Sequence, residues 1–150
     1  MLLHAIIKPV TKRKTAAKQL KKFTIKDAQN SFIMRFSTVY EADQFFENQT
    51  RMALTSKINI QPFIFVIGEH FYSENQYYIY CDKIRYKLVS PVAALDCTFK
   101  LFQVFYLEYP IQSKAVWQFI QMFFYEITTP HDDAFPSVDL LINKLNLLNI

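Results

Sequence analysis

The residues best suited to bind a partner are the cations at the start of the chain. Eight cations and no acid lie within residues 1–26, namely Lys8, Lys12, Arg13, Lys14, Lys18, Lys21, Lys22 and Lys26. Each phosphate neutralised by such a side chain releases condensed counterions, so this composition predicts strong, salt-dependent and sequence-independent binding to a polyanion. Because the chain has 17 Lys+Arg and 13 Asp+Glu, residues 27–150 hold nine cations and 13 acids, a net charge of −4. We predict a basic flexible arm over 1–26 and a single domain over 27–150.

Two interpretations of the arm stay open. Two short basic runs separated by a six-residue spacer are typical of a nuclear-import signal and of a nucleic-acid-binding arm, and the candidate contacts are Lys12, Arg13, Lys14, Lys18, Lys21 and Lys22. Either function would place the protein inside the cell, in the nucleus rather than the cytoplasm. The alternative is a passive solubilising linker. The sequence does not distinguish DNA from RNA.

A second, weaker group of cations follows a tyrosine-rich segment. The aromatic and basic residues of this strip are Tyr72, Tyr77, Tyr78, Tyr80, Lys83, Arg85 and Lys87. Rings that alternate with cations on a sheet can stack on bases and hold the phosphate backbone, which makes Arg85 and Lys87 candidate nucleic-acid contacts. The alternative is ordinary strand composition, since tyrosine favours half-buried pleated surfaces.

Residues with catalytic potential are few. The His131-Asp132-Asp133 triplet lacks a second histidine at helical spacing, and hard cations need more oxygen ligands, so we interpret it as an exposed polar loop. His70 has Glu69 and Ser73 nearby, but no nucleophile elbow accompanies them. Asp96 lies one turn from Lys100, which favours a structural ion pair.

Glycine and cysteine usage excludes further classes of enzyme. A single glycine, Gly68, rules out glycine-rich phosphate loops, which need several glycines for close backbone approach. The cysteines Cys81 and Cys97 are too few and too far apart for a zinc site, and their apolar surroundings predict buried free thiols in a reducing compartment. We therefore predict no enzymatic activity, no cofactor and no metal.

No segment has the features of membrane targeting. The chain begins with an apolar stretch too short for a signal peptide and lacking a preceding cation. No run reaches the roughly 18 uninterrupted apolar residues that a membrane-spanning helix needs. We expect a soluble intracellular protein that does not enter a membrane.

Hydrophobic periodicity predicts an α+β domain. The predicted elements are strand 31–37, helix 39–56, strands 58–67, 76–81 and 84–88, and helices 91–108, 114–127 and 136–148. The order β-α-β-β-β-α-α-α predicts an antiparallel sheet of about four strands with helices packed on one face. Residues 101–108 also fit a strand, so their assignment stays open.

Capping residues and punctuation support these boundaries. Thr38 and Glu41 have the spacing of a capping box, and Ser90 followed by Pro91 is a typical helix start. Within the strand at 84–88, Ile84, Tyr86 and Leu88 alternate with Arg85 and Lys87, which predicts one buried and one basic face.

The aromatic helices at 91–108 and 114–127 carry more rings than one buried face needs. In the second of them we predict that Val116, Ile120, Phe123 and Ile127 face inward, and that Gln118, Gln121 and Tyr125 face outward. The excess rings indicate either a large core or a surface that binds a protein partner or a second copy of the chain.

Several apolar motifs carry a family resemblance. They are Gln61-Pro62-Phe63-Ile64-Phe65-Val66, Ala94-Leu95-Asp96-Cys97-Thr98-Phe99-Lys100, Tyr109-Pro110, Trp117-Gln118-Phe119-Ile120-Gln121 and Phe124-Tyr125. In this order they resemble a domain in uncharacterised animal proteins, mainly from arthropods, that are predicted near mobile-element sequence and sometimes beside zinc fingers. The resemblance covers about residues 27–148 and omits the arm. It implies one domain and a weak association with nuclear or mobile-element biology, and no activity or site residue.

Overall fold

The structure, a computed structural model, describes residues 6–7, 13–14, 20–21, 23–56, 61–68 and 75–148. Contacts group the chain into a first unit of residues 1–31 with 109–150, and a second unit of residues 32–108. The strands are β1 (Arg13–Lys14), β2 (Leu20–Lys21), β3 (Ile33–Phe36), β4 (Phe63–Ile67), β5 (Gln76–Cys81) and β6 (Ile84–Leu88). The helices are α1 (Ile25–Phe32), α2 (Val39–Ser56), α3 (Pro91–Val104), α4 (Lys114–Phe124) and α5 (Pro136–Leu147).

The second unit is built on a four-stranded sheet in the order β3-β4-β5-β6. Strands β3 and β4 are parallel, with Ile33 opposite Ile64, whereas the pairs β4–β5 and β5–β6 are antiparallel. The fold is therefore α+β with a mixed sheet, and the prediction of a purely antiparallel sheet is wrong. The 18-residue helix α2 connects β3 to β4, and such a crossover is what allows neighbouring strands to run parallel.

The predicted order of elements is also wrong at its start, because it omits α1 and the short antiparallel pair β1–β2. Helix α1 begins within the predicted arm. The Asp27 amide donates to the Thr24 hydroxyl at 3.1 Å, while the Thr24 amide donates to the Asp27 carboxylate at 2.8 Å. This reciprocal cap stabilises the first turn, as in a capping box.

Helix α2 covers one face of the sheet. The Glu41 amide donates to the Thr38 hydroxyl at 3.2 Å, which confirms the predicted helix start. The buried residues that α2 and the strands share are Phe36, Ala42, Phe46, Phe65, Ile67 and Tyr80. On the strands these are alternate positions, so they all lie on the same side of the pleat.

The opposite face is covered too, and the prediction of helices on a single face is wrong. In β4, Ile64 and Val66 point away from the α2 side and are nevertheless buried. Helix α3 contacts β4, β5 and β6 and contributes Ala94, Phe99 and Phe102 to the buried set. A central strand enclosed on both sides reads as a continuous apolar run, which is the pattern of Phe63–Ile67.

Helix α3 has the predicted start and an earlier end than predicted. The Ser90 hydroxyl accepts the Ala93 amide at 3.1 Å. The helix ends at Val104, and Tyr106 adopts a positive φ of 51° while the Leu107 amide donates to the Phe102 carbonyl at 2.9 Å. This is a left-handed C-terminal cap, so residues 101–104 are helical and 105–108 form neither helix nor strand.

In the first unit, α4 packs against α5. Every residue from Ala115 to Gln121 is buried, and Val138 is the buried residue of α5. The Tyr109 ring stacks on Trp117 with centroids 5.9 Å apart. Helix α4 is therefore the centre of this unit's core.

Candidate binding surfaces

An open cleft of about 590 Å³ lies in the second unit between α2 and the β5–β6 hairpin. Its lining residues combine an aromatic floor with charged walls: Asp43, Phe46, Glu47, Thr50, Arg51, Tyr80, Lys83 and Arg85. One side comes from α2, where Asp43, Glu47 and Thr50 share a face because they are three to four residues apart. The other side comes from the hairpin.

The floor of the cleft is closely packed. Phe46 and Tyr80 stack with ring centroids 4.1 Å apart and an interplanar angle of 5°, and both rings are 5% exposed. The Tyr80 and Thr50 hydroxyls lie 3.3 Å apart in a hydrogen bond. Because these rings are packed into the core, the cleft offers little aromatic surface for a base to stack on.

The walls carry both signs of charge. Arg85 forms an ion pair with Asp43, and both side chains are 42% exposed. Asp82 and Lys83 have positive φ values of 47° and 65° and form a tight two-residue turn, which places Lys83 at the tip of the hairpin. The hairpin therefore presents Lys83 and Lys87 as exposed cations, whereas Asp43 largely compensates Arg85.

The structure brings the described part of the predicted strip of tyrosines and cations together, but it places Tyr80 in the core and packs Tyr78 against the core. Tyr80 lies opposite Arg85 and Tyr78 opposite Lys87. The Tyr78 ring is half-buried and stacks on Phe65 at 5.1 Å. Tyr72 lies outside the described residues. This packing favours the interpretation of the strip as ordinary strand composition.

Strand β6 is one edge of the sheet, and its predicted buried face is wrong. Ile84 and Tyr86 are 52% and 47% exposed, and Arg85 and Lys87 are exposed as well. The alternating residue types of β6 indicated that its apolar side chains share a face. They did not indicate that α3 leaves this face of β6 exposed.

The side chains of the predicted arm contacts lie outside the described part of the structure. Lys12, Lys18 and Lys22 lie outside the described residues, and Arg13, Lys14 and Lys21 are described only by their backbone in β1 and β2. Within the same region, the side chains of Ile7 and Phe23 are buried, at 1% and 7% exposure. Residues 1–26 therefore contribute apolar side chains as well as cations.

Two buried glutamines of α4 were not predicted. Gln118 and Gln121 are 3% and 4% exposed, so the prediction that they face outward is wrong. Gln118 donates to the Asp133 carbonyl at 2.5 Å and accepts the Asp133 amide at 3.2 Å. Gln121 accepts the Tyr109 hydroxyl at 2.9 Å and donates to Asp132 at 3.0 Å. The side-chain amides of Gln118 and Gln121 therefore anchor the loop after α4 to the helix.

Asp132 is the polar centre of that loop. Its carboxylate accepts the Thr129 amide at 2.7 Å and the Thr129 hydroxyl at 2.9 Å, in addition to Gln121. Burial raises the pKa of Asp132, but the hydrogen bonds from Thr129 and Gln121 and the charge of Lys114 outweigh burial and lower the pKa overall. Within the His131-Asp132-Asp133 triplet, the Asp132 carboxylate therefore stabilises the structure of the loop.

The other residues with catalytic potential are structural or lie elsewhere. Asp96 and Lys100 form an ion pair at 2.7 Å, which confirms that prediction. Glu69, His70 and Ser73 lie outside the described residues. In the described ranges, no group of three or more His, Cys, Asp or Glu side chains could hold a metal ion.

The two cysteines are free, as predicted, but half-buried rather than buried. Burial raises the pKa of Cys81, and the charges of Asp82 and Cys97 raise it further. Since the thiolate is the reactive form, Cys81 is a poor nucleophile at neutral pH.

No protein-family model matches the chain, and no significant match is found among curated proteins or solved structures. The resemblance to the arthropod domain therefore stays a prediction. None of the helices in the described part of the chain combines the length and apolar character needed to cross a membrane.

Proposed function

We propose that the protein is a non-enzymatic interaction module whose basic arm, residues 1–26, contacts nucleic acid or directs nuclear import. The observation that carries the proposal is charge segregation: eight cations and no acid in the arm, against a net charge of −4 over residues 27–150. An arm of this charge attracts a polyanion, and the acidic remainder repels it. The contacts therefore concentrate in the arm.

In this proposal the β5–β6 hairpin contributes less to nucleic-acid binding than the arm does. Arg85 already pairs with Asp43, the neighbouring ring of Tyr80 lies in the core, and the ring of Tyr78 packs against the core. A second nucleic-acid site at Arg85 and Lys87 stays a prediction, with electrostatic attraction as its main contribution.

The test is a salt titration of DNA and RNA binding by the full chain and by a variant with Lys12, Arg13 and Lys14 changed to glutamine. Neutralisation is preferable to deletion because Ile7 and Phe23 are buried. Losing up to three phosphate contacts should reduce the slope of log K against log salt by up to about 2.7 for duplex DNA. The same variant, fused to a fluorescent protein, tests nuclear accumulation.

The matched control changes Lys100, Lys114 and Lys144 to glutamine, which removes the same charge outside both the arm and the hairpin strip. We expect this control to keep the native salt slope. If the slope of log K against log salt falls equally in the two variants, net charge controls binding and the arm does not. No binding at low salt and unchanged nuclear accumulation would contradict the proposal altogether.

A second candidate function is self-association, with the arm as a passive linker. The first unit exposes large apolar side chains on α4, on α5 and at the end of α5: Phe124, Leu140, Leu147 and Leu148. Leu147 is 83% exposed and Phe124 is 64% exposed. Leu140 and Leu147 are seven residues apart on α5 and therefore share a face, and exposed apolar surface of this kind is typical of a site that another protein covers.

Sedimentation velocity of the full chain tests this alternative. Self-association predicts a mass that rises with concentration toward a dimer, and a monomer after Leu140→Glu and Leu147→Glu. Val89→Glu is the control, since Val89 is 95% exposed in the second unit. A strictly monomeric native chain at high concentration would exclude the alternative.

A further inference from the structure

Within the described part of the chain no strand pairs with the outer side of β6, so its backbone groups there are available to another strand. Cys81 and Ile84 flank the two-residue turn and are paired in the ladder. In such a hairpin the flanking pair exchanges both hydrogen bonds, and hydrogen-bonded pairs then alternate along the strands. The N–H and C=O groups of Ile84, Tyr86 and Leu88 therefore point to β5, and those of Arg85 and Lys87 point outward.

The side chains of β6 give this edge two different faces. Arg85 and Lys87 lie on the face that α2 covers, because their cross-strand partners Tyr80 and Tyr78 pack there. Ile84 and Tyr86 lie on the other face and are 52% and 47% exposed. An incoming strand would therefore place alternate residues beside cations and beside apolar side chains.

We propose that the β6 edge binds an extended acidic peptide by strand addition. Acidic residues of the peptide lie opposite Arg85 and Lys87, and an apolar residue lies opposite Tyr86. The backbone of Arg85 and Lys87 supplies the hydrogen bonds, while the alternating side chains supply the selectivity, as in other cases of β-strand addition. This partner is distinct from the polyanion that we propose for the arm.

A second copy of β6 is a poor occupant of the same edge. Antiparallel pairing with Tyr86 opposite itself would place Arg85 opposite Lys87 of the other copy, twice. Like charges directly opposite each other destabilise a strand pair. An acidic strand replaces both repulsions with attractions.

Lys87 should contribute more than Arg85 to the recognition of acidic residues. Arg85 already pairs with Asp43, whereas Lys87 is exposed and has no acidic partner among the described residues. A peptide carboxylate can still reach Arg85, because a guanidinium has five N–H donors.

The experiment measures binding of a fluorescent Val-Glu-Val-Glu-Val peptide to the full chain by fluorescence anisotropy. Two control peptides are used, one with lysine in place of glutamate and one with N-methylated backbone amides. Lys87→Ala should weaken binding up to about fivefold by removing one cross-strand charge pair. Lys87→Pro also removes an outward N–H, without losing a bond to β5, and should weaken binding by about a further threefold. Lys144→Ala should leave binding unchanged.

Strand addition requires that both control peptides fail to bind the native protein. Equal binding of the N-methylated peptide would overturn the proposal without relying on any variant, as would no binding of the acidic peptide. Displacement of the peptide by an oligonucleotide, with N-methylation having no effect, would overturn it as well and identify a phosphate site. A failed salt titration of the arm would leave these outcomes unaffected.

Discussion

The Phe46→Ala variant should lower the free energy of unfolding of the second unit by about 3–5 kcal/mol, the range for a truncated core phenylalanine. Phe46 lies on α2 and stacks on Tyr80 of β5, with ring centroids 4.1 Å apart. Its ring also contacts Phe65 at 4.9 Å and Phe36 at 6.0 Å. Alanine would leave a cavity that the closely packed neighbouring rings fill only partly, so both the burial and the ring contacts would be lost.

Urea unfolding followed by far-UV circular dichroism measures this loss. Met52→Ala is the control, because Met52 lies on the same helix and is 64% exposed. A surface truncation of this kind usually changes stability by less than about 0.5 kcal/mol. A loss below 1 kcal/mol in the Phe46 variant would mean that α2 does not pack on the sheet as described.

Elements with clear terminal signals were predictable from the sequence. Helix α2 covers Val39–Ser56, the predicted range, and its cap uses the predicted Thr38. Helix α5 begins at Pro136, as predicted. These boundaries depend on residues within one turn of the helix end, so a local pattern is enough to find them. The start of α1 has the same kind of signal, at Thr24 and Asp27. Because cations continue as far as Lys26, the predicted arm extended to residue 26 and included the start of this helix.

Strand direction and layer arrangement were not predictable from hairpin signals alone. Hairpins fix the direction of β4, β5 and β6, but β3 reaches β4 only through α2. The run Phe63–Ile67 carries no polar residue, which is the signal of a strand covered on both faces. That signal was present in the sequence, and it would have predicted a helix on each side.

The buried glutamines show where periodicity fails. Polar residues at 118 and 121 are typical of an exposed helix face, and nothing within α4 indicates otherwise. Their partners, Asp132 and Asp133, are more than ten residues away along the chain. A buried amide is stable only when distant groups satisfy it, so its burial follows from tertiary structure and not from the local pattern.

The Gln121→Leu variant is therefore expected to destabilise the first unit by about 2–3 kcal/mol, although leucine is the more apolar side chain. The substitution removes the acceptor of the Tyr109 hydroxyl and a donor to Asp132. The Ile127 carbonyl also loses a donor at 3.3 Å. Three hydrogen bonds are lost together, and each contributes about 1 kcal/mol net, which is why the loss exceeds the net contribution of a single hydrogen bond.

Tryptophan fluorescence during urea unfolding reports on this unit, because the only tryptophan of the chain, Trp117, lies in α4 beside Gln121. Gln44→Leu is the control, since Gln44 is exposed on α2. Equal stability of Gln121→Leu and the native chain would show that the loop is not fastened through this amide.

The difference in the free energy of unfolding between Gln121→Leu and the native chain should also depend on pH. The pKa of Asp132 in the folded protein lies below the ordinary value of 3.8, because hydrogen bonds from Thr129 and Gln121 outweigh the effect of burial. A lowered pKa stabilises the fold above the ordinary value, and this stabilisation is lost as the pH falls through the folded-state pKa. In Gln121→Leu the Asp132 carboxylate lacks the Gln121 donor, so its ionised form stabilises the fold less. Acidification therefore removes less stability from the variant than from the native chain. The stability difference should therefore narrow on acidification, but it should not vanish, because the bonds to Tyr109 and Ile127 do not titrate in this range. A difference that stays constant from neutral pH to pH values below about 3 would show that Gln121 does not stabilise the ionised carboxylate.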